Sequence, residues 1–316
     1  MSRIFDLQDI LFASEKQHKA KLIAEGNLAH YTGADTALSI LQDQELWLTN
    51  VAGMNDLSEC RYAHGLLRDL LSEDHDLGRR LARVMPLLAT GLRMALDDDV
   101  GPLSLERIRR DSHIVCFGEE SHAEQERGRL SMWRGYGRKT LVRLTFASAA
   151  LDAGGPSPGQ PIVRVLYGET QACDELERIV EGFEAHHIDE RSVSTVEIGH
   201  AVIRFIVIAI LAIKHPSFEE EREWRLIHHP LLDPDREVVT TKALPIRERV
   251  ELVKVLRLSA DERFLHAGLK DILHSVTIGP SSETELTKDA FEAVLAHPAI
   301  GLPGRVSVAD IPYRGG

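Results

Sequence analysis

Residues 219–227 read EEEREWRLI, and their charged side chains could do chemistry if they share one surface. If residues 221–227 are extended, alternate side chains point to the same face, so Glu221, Glu223 and Arg225 lie together. A fixed carboxylate can stabilise a developing positive charge, and a second carboxylate can take a proton from a nucleophile. The alternative is a solvated strand entrance whose charges form salt bridges, and such exposed ion pairs usually signify little.

Three further clusters of polar side chains stand at the ends of predicted strands. They are HYT (His30, Tyr31 and Thr32), MNDLSE at 54–59, which includes Asn55, and CFGEE at 116–120 followed by LSMWRGYG at 130–137, which includes Trp133, Arg134 and Tyr136. Each has a structural interpretation: a buried histidine, an Asx turn or helix cap, and core aromatic residues. If the clusters act together, we expect them to line one concave pocket with residues 221–225.

The elements that must position these clusters are predicted from hydrophobic periodicity. The pattern indicates an α/β or α+β fold with a mixed sheet and flanking helices, which forms one domain over residues 27–316. An N-terminal helix is predicted within 1–26, and we expect it to pack on the surface of the domain or to mediate association. Residues 58–110 carry apolar residues at intervals of three and four, which is typical of a helical insertion. Further helices are predicted at 35–44, 172–186 and 197–214, and strands at 27–32, 46–50, 113–119, 140–146, 162–169, 221–227, 253–258 and 275–281.

Composition and spacing argue against several classes of protein. The 316 residues carry a net charge of -12, so we expect no broad nucleic-acid surface and no binding to anionic membranes. The apolar run at 202–213 is too short to span a bilayer and is predicted to lie in a core helix. The three distant cysteines favour the reducing cytoplasm. Adjacent histidines at 186–187 and 228–229 point apart, so no metal site is predicted.

Taken in order, the motifs resemble a large, mainly bacterial family known only as domain of unknown function 2971. The stretches that carry the resemblance cover most of residues 28–285: HYT, NDLSE, CFGEE, MWRGYG, VLYGE, EREWRLI and TIGPSS. This chain departs from the family pattern at Gly118, where serine more often follows the phenylalanine. The family label itself implies no reaction.

A more distant resemblance implies a chemistry. The layout of LAHYT and ALSILQDQELWLTN is similar to the start of ADP-ribosyltransferase-like folds, in which an early strand grips NAD and a late strand carries the catalytic glutamate. The resemblance implies that Glu223 stabilises the ribose cation formed when the nicotinamide bond breaks, while Glu221 orients or deprotonates an acceptor. Tyr136 or the CFGE strand would occupy the middle catalytic position, and water in place of an acceptor would give NAD hydrolysis. NAD would be the substrate, held by His30, Tyr31, Thr32, Asn55, Trp133, Arg134 and Arg225.

Two other functions remain open from the sequence. The first is a metal-dependent nuclease or phosphoesterase that uses carboxylates and histidines from the candidate set Asp56, Glu59, Glu119, Glu221, Glu223, His64, His228 and His229. The second is a noncatalytic nucleotide-binding sensor in phage defence or a toxin-antitoxin pair. The expected partners are a nucleotide-like small molecule and, for a transferase, a macromolecular acceptor that the sequence does not identify. Consumption of NAD or metal-dependent cleavage of nucleic acid would distinguish these functions.

Overall fold

Helices and strands are interleaved along the chain in the computed structural model, which describes residues 7–53, 57–121, 124–135, 140–148, 161–233, 239–246, 249–258 and 268–311. The strands are β1 (Gly26–Gly33), β2 (Glu45–Asn50), β3 (His113–Ser121), β4 (Leu141–Ala147), β5 (Ile162–Arg164), β6 (Leu166–Tyr167), β7 (Ile213–Lys214), β8 (Glu223–His228), β9 (Val239–Ile246), β10 (Arg249–Arg257), β11 (Leu273–Ile278) and β12 (Val306–Val308). The helices are α1 (Leu7–Leu11), α2 (Ala13–Glu25), α3 (Ala34–Asp43), α4 (Leu57–Leu70), α5 (Asp76–Val84), α6 (Pro86–Leu96), α7 (Leu105–Asp111), α8 (Leu130–Gly135), α9 (Gly168–His186), α10 (Thr195–Ala212), α11 (Leu269–Ile272) and α12 (Thr284–Ala296).

One sheet holds most of the strands, and its neighbours run largely antiparallel. The strand order is β12-β11-β4-β1-β3-β2-β10-β9, with β8 paired to β3 and β5 paired to β8. Strands β11 and β12 run parallel, and β6 and β7 form a separate short parallel ladder. The fold is therefore α+β with a mixed sheet flanked by helices, which confirms the predicted class.

The sheet divides at β3, because one edge of this strand pairs with two different strands. Residues 118–121 pair with β1, residues 113–114 pair with β2, and β8 occupies the opposite edge along 113–118. Between β1 and β2 the carbonyl oxygen of Cys116 has no strand partner, and Nδ1 of His30 hydrogen-bonds to it at 2.9 Å. His30 thus satisfies a backbone group that the division of the sheet leaves open.

Helices cover both faces of the sheet and bury two main hydrophobic clusters. On one face, α4 to α7, α9 and α10 pack against Ile114 and Ile227. On the other face, α3, α11 and α12 pack against Trp224 and Leu226. The predicted helical character of residues 58–110 is confirmed, and these helices share a layer with α9 and α10.

The N-terminal segment forms two helices and belongs to the core. Leu7, Ile10 and Leu11 of α1 are each 5% exposed or less and join the cluster that includes α9 and α10. Leu22 of α2 is also buried, but in the cluster on the other face. The expectation of a single helix packed on the surface is therefore wrong, because its apolar residues complete both hydrophobic clusters.

Helix α10 is the apolar helix that the sequence predicts at 197–214. It begins at a capping box, in which Ser194 and Glu197 each accept a hydrogen bond from the other's backbone N–H. Its length and mean hydropathy of 1.9 would allow it to cross a membrane, yet 56% of it lies buried inside the protein. It packs against α4 and α6, as a core helix does.

Candidate functional site

Glu223 is the first residue of β8 and lies where the sheet carries small side chains. It faces Gly118 of β3, which in turn faces Ala29 of β1. Arg225, two residues further along β8, lies opposite Cys116 on the same face. The predicted alternation of side chains therefore holds for Glu223 and Arg225.

Glu221 reaches this site by a different route from the one predicted. It ends the 3-10 helix Pro216–Glu221, and Arg222 then adopts a left-handed backbone conformation with φ of 43° before the strand begins. The expectation that residues 221–227 form one strand is wrong, because the proline opens a helical turn and Arg222 closes it.

Glu223 is buried and held by two cations. Arg225 donates from Nε to Oε1 at 2.8 Å and from Nη2 to Oε2 at 3.0 Å. Lys214 donates from Nζ to Oε2 at 3.1 Å. Burial alone would raise the pKa of Glu223, but the charges of Arg225 and Lys214 outweigh it and lower the pKa to about 2. Glu223 is therefore ionised at neutral pH.

Lys214 joins three carboxylates, two from the 219–227 stretch and one from α4. Its Nζ lies 2.7 Å from Glu221, 3.1 Å from Glu223 and 3.3 Å from Glu59 in the first turn of α4. Burial disfavours the ammonium, but Glu223 and Glu59 outweigh burial and raise the pKa of Lys214. Glu59, Lys214, Glu221, Glu223 and Arg225 form one charged group, hereafter the Glu223 cluster.

The two glutamates of the 219–227 stretch differ in their affinity for protons. Burial raises the pKa of Glu221, and the neighbouring ammonium of Lys214 only partly offsets that effect. The pKa of Glu223 moves in the opposite direction. Two carboxyl groups whose pKa values are pushed apart can serve as a fixed charge and a proton acceptor or donor.

The Glu223 cluster reaches the surface at Glu221. The side chain of Glu221 is 27% exposed, compared with 6% for that of Glu223. Phe218 is also exposed, and its ring lies 4.7 Å from the ammonium of Lys214. Tyr62 of α4 meets His215 edge to face with ring centres 5.4 Å apart. Aromatic rings therefore border the surface where the carboxylates emerge.

A second polar group on the same face of the sheet is enclosed by the fold. The hydroxyl of Tyr31 donates to Glu120, and Nη1 of Arg143 donates to the same carboxylate at 3.0 Å. Nη2 of Arg143 donates to Thr277 at 2.8 Å. Because Glu120, Arg143 and Thr277 are fully buried, this Glu120 cluster connects β1, β3, β4 and β11 and has no access to a ligand.

Arg129 links the two clusters. Its backbone N–H donates to the hydroxyl of Tyr31 at 3.0 Å. Its guanidinium donates to the carbonyl oxygens of Glu220 at 2.7 Å and Glu221 at 2.8 Å, and to that of Glu119 at 2.6 Å. Arg129 therefore fastens the end of the 3-10 helix to β3 and fixes where Glu221 leaves it.

The four predicted clusters do not line one pocket. His30 faces Leu144 in the β1–β4 register and its ring lies 5.9 Å from that of Phe117, so it points to the face opposite Glu223. Thr32 alternates in step with His30 and lies on that face as well. The expectation that His30 and Thr32 meet Glu223 is wrong, because neighbouring strands hold them in a register that separates them.

The remaining predicted residues are distributed as follows. Trp133 is buried, donates to the carbonyl of Arg127 at 2.8 Å and packs edge to face on Tyr31. Arg134 is exposed on α8, which packs against the 3-10 helix that ends at Glu221. Arg225 is saturated by Glu223, Glu59 and the carbonyl of Leu211, so it is not a free diphosphate ligand. Tyr136 and Asn55 lie outside the described residues.

The described part of the chain contains no group of side chains suited to bind a metal ion. No three histidine, cysteine, aspartate or glutamate residues there are arranged to hold an ion. Within the Glu223 cluster, the carboxylates converge on the ammonium of Lys214. Among the other nuclease candidates, Asp56 lies outside the described residues, and Glu119 accepts a hydrogen bond from Trp224 at 3.0 Å.

The sequence did not predict that Lys214 and Glu59 would join Glu223. Lys214 precedes the EREWR stretch, and Glu59 belongs to NDLSE and was predicted only as a metal ligand, but the packing of α4 against β7 brings both to Glu223. Arg143 did carry a signal, since it is a charge inside the apolar strand segment LVRLTFA. A buried charge requires a partner, and that partner is Glu120.

Comparison with known proteins yields one family match. A family model described as "Protein of unknown function (DUF2971)" matches residues 132–226. This range includes Lys214, Glu221, Glu223 and Arg225, and it supports the predicted resemblance to that family. The HYT, NDLSE and CFGEE motifs lie outside the matched range. No curated protein and no solved structure matches the chain significantly.

Proposed function

We propose that the protein is an NAD-consuming, ADP-ribosyltransferase-like enzyme that cleaves the nicotinamide-ribose bond. The observation that carries this proposal is the convergence of Glu221 and Glu223 on Lys214 at one charged site, with Glu221 at its exposed edge and Glu223 buried. The pKa values of the two carboxyl groups move in opposite directions. Perturbed carboxyl pairs of this kind are typical of sites that combine charge stabilisation with proton transfer.

In the proposed reaction, the bond between C1 of the ribose and the nicotinamide nitrogen breaks and nicotinamide leaves as the neutral base. The ionised carboxylate of Glu223 stabilises the positive charge that develops on the ribose. An oxygen of the acceptor or of water then bonds to C1, and Glu221 takes the proton that this oxygen loses. The exposure of Glu221 places it where an acceptor arrives from solvent.

The structure changes which residues we assign to NAD. His30 leaves the site because it points to the other face of the sheet. Phe218, whose ring lies against Lys214, and Tyr62, whose ring meets His215, replace Trp133 as the candidate rings for stacking. Arg134 remains the candidate for a diphosphate, because guanidinium groups suit phosphate oxygens and its side chain is exposed.

A second candidate is a nucleotide-binding module without catalysis, and one observation favours it. Both carboxylate oxygens of Glu223 already accept hydrogen bonds within the protein. A substrate reaches this carboxylate only if Lys214 moves aside. A purely structural ion network would show the same saturation.

Release of nicotinamide from NAD, measured by chromatography, tests the first candidate. Glu223→Gln keeps the size of the side chain and removes its charge, so we expect turnover to fall by about a hundredfold to a thousandfold. Glu221→Gln should impair transfer to an acceptor more than hydrolysis. The matched control is Glu220→Gln, because Glu220 is exposed and its carboxylate is outside the cluster. If the wild type binds NAD without turnover, the second candidate replaces the first.

A further inference from the structure

A small cavity lies beneath the N-terminal helices and beside β5. Its volume is about 70 Å³, several times the roughly 10–15 Å³ that one water molecule needs. Its lining is mostly apolar and comes from α9, α10 and the junction of α1 with α2, including Phe12, Leu176, Phe205 and Ile208. An apolar lining of this kind favours an apolar group.

The polar side chains of the cavity gather at one rim and come from α2, β5 and α9. Glu175 accepts from Ser14 and from Arg178 at 2.8 Å, and Glu15 lies 3.9 Å from Lys19. Both carboxylates are therefore provided with partners. Burial also raises the pKa of Glu15, which weakens the negative charge on this side of the rim.

Arg164 is the exception at this rim. The residue is half-buried and is among those that line the cavity, and no carboxylate in the described ranges forms a hydrogen bond or an ion pair with it. Its charge acts on His18, whose pKa is lowered by burial and further by Arg164. A half-buried guanidinium without an anionic partner is costly, and an anion at this position would offset the cost.

We propose that this cavity binds a small amphipathic anion, a carboxylate with a short aliphatic tail. The tail occupies the apolar space between α9 and α10, and the carboxylate accepts hydrogen bonds from Arg164 beside His18. The tail is short because the cavity is about half the size of the roughly 150 Å³ apolar cavities that accept benzene. The site is independent of the proposed reaction, so its test does not depend on NAD turnover.

Three probes with the same tail separate the contribution of the head group: pentanoate, pentylamine and 1-pentanol. Binding is followed by calorimetry and by the imidazole NMR signals of His18. We expect saturable binding of pentanoate, with a shift of the His18 signals, and binding at least about tenfold weaker for the amine and the alcohol. Absence of pentanoate binding, or equal binding of the three probes, overturns the proposal.

Variants locate the binding site. Arg164→Gln should weaken pentanoate binding by about tenfold or more, while the control Arg191→Gln removes an exposed charge elsewhere and should leave it unchanged. Ala209→Leu extends a side chain that lines the cavity and should abolish binding. Pentanoate binding that survives either Arg164→Gln or Ala209→Leu at wild-type strength overturns the proposal, even if the protein binds the probe somewhere else.

Discussion

Lys214→Met is the substitution that probes the Glu223 cluster most directly. The methionine keeps much of the apolar stem but removes the ammonium that lies 2.7 Å from Glu221, 3.1 Å from Glu223 and 3.3 Å from Glu59. Three carboxylates would then share the single charge of Arg225. Breaking a buried ion pair by removing one partner typically costs about 3–5 kcal/mol of unfolding free energy, and we expect a loss of that size.

The loss should depend on pH, and its sign follows from Glu221. The pKa of Glu221 is already raised by burial, and Lys214 is the strongest opposing influence. Without that ammonium the pKa rises further, so the folded variant binds more protons than its unfolded chain. Lowering the pH then stabilises the variant relative to the wild type. The difference in unfolding free energy should therefore be larger at about pH 8 than at about pH 5.

Urea denaturation of both proteins at the two pH values measures this difference. The control is Lys16→Met, whose ammonium is exposed and pairs with Asp9 at 2.7 Å, so that its loss should cost about 1 kcal/mol or less. The double variant Lys214→Met/Glu221→Gln removes an unpaired carboxylate and should recover part of the loss. If Lys214→Met lowers the unfolding free energy by less than about 1 kcal/mol, and by the same amount at both pH values, then Lys214 does not stabilise the charges of Glu59, Glu221 and Glu223.

Three further predictions concern the fold. Deleting residues 1–25 should abolish cooperative unfolding, because each buried leucine or isoleucine of that segment contributes about 1.5–3 kcal/mol; a near-wild-type melting temperature would contradict this. Burial lowers the pKa of His113 and of His229 to about 4. As the pH falls from about 6.5 to about 4, the unfolded chain takes up protons at these histidines while the folded protein does not, so the free energy of unfolding should decrease by about 1.4 kcal/mol per pH unit for each histidine that stays neutral. A flat urea-midpoint profile over this range would refute it. Tyr31→Phe should cost about 1–3 kcal/mol by leaving Glu120 without its hydroxyl donor, whereas the control Tyr62→Phe should cost little in thermal melts.

Local sequence patterns predicted elements well where residues within the element determine its structure. Helix α10 follows from its apolar periodicity and its Ser194 cap, and β8 from the alternation in EWRLIH. Glu221 was misplaced because no alternation marks the left-handed turn at Arg222, which is stabilised by the ion pair of Arg222 with Glu124 and by the hydrogen bonds of Arg129.

The composition of the candidate site depended on contacts that sequence spacing does not encode. Glu59 meets Arg225 at 2.9 Å across 166 positions of the chain, and this contact depends on the packing of α4 against β7. His30 shows the converse. Its place in a motif suggested a ligand contact, but the division of the sheet at β3 gives it a backbone carbonyl to satisfy. A motif residue can thus be explained by strand pairing once the register is known.

Charge balance separates the two polar clusters more clearly than burial does. In the Glu120 cluster one carboxylate faces one guanidinium, and the group is closed to solvent. The Glu223 cluster holds three carboxylates, Glu59, Glu221 and Glu223, against the two cations Lys214 and Arg225, so one negative charge is in excess. A network that served only to join β8, β7 and α4 would gain nothing from this excess, because an unbalanced buried charge costs free energy.

The excess is tolerated because it falls at Glu221, the most exposed of the three carboxylates and the one whose pKa is raised. A carboxylate kept at the solvent edge of a buried ion network can take the proton that an incoming acceptor loses, which is the role proposed for Glu221. This is why the Glu223 cluster, and not the Glu120 cluster, is the site to test for chemistry.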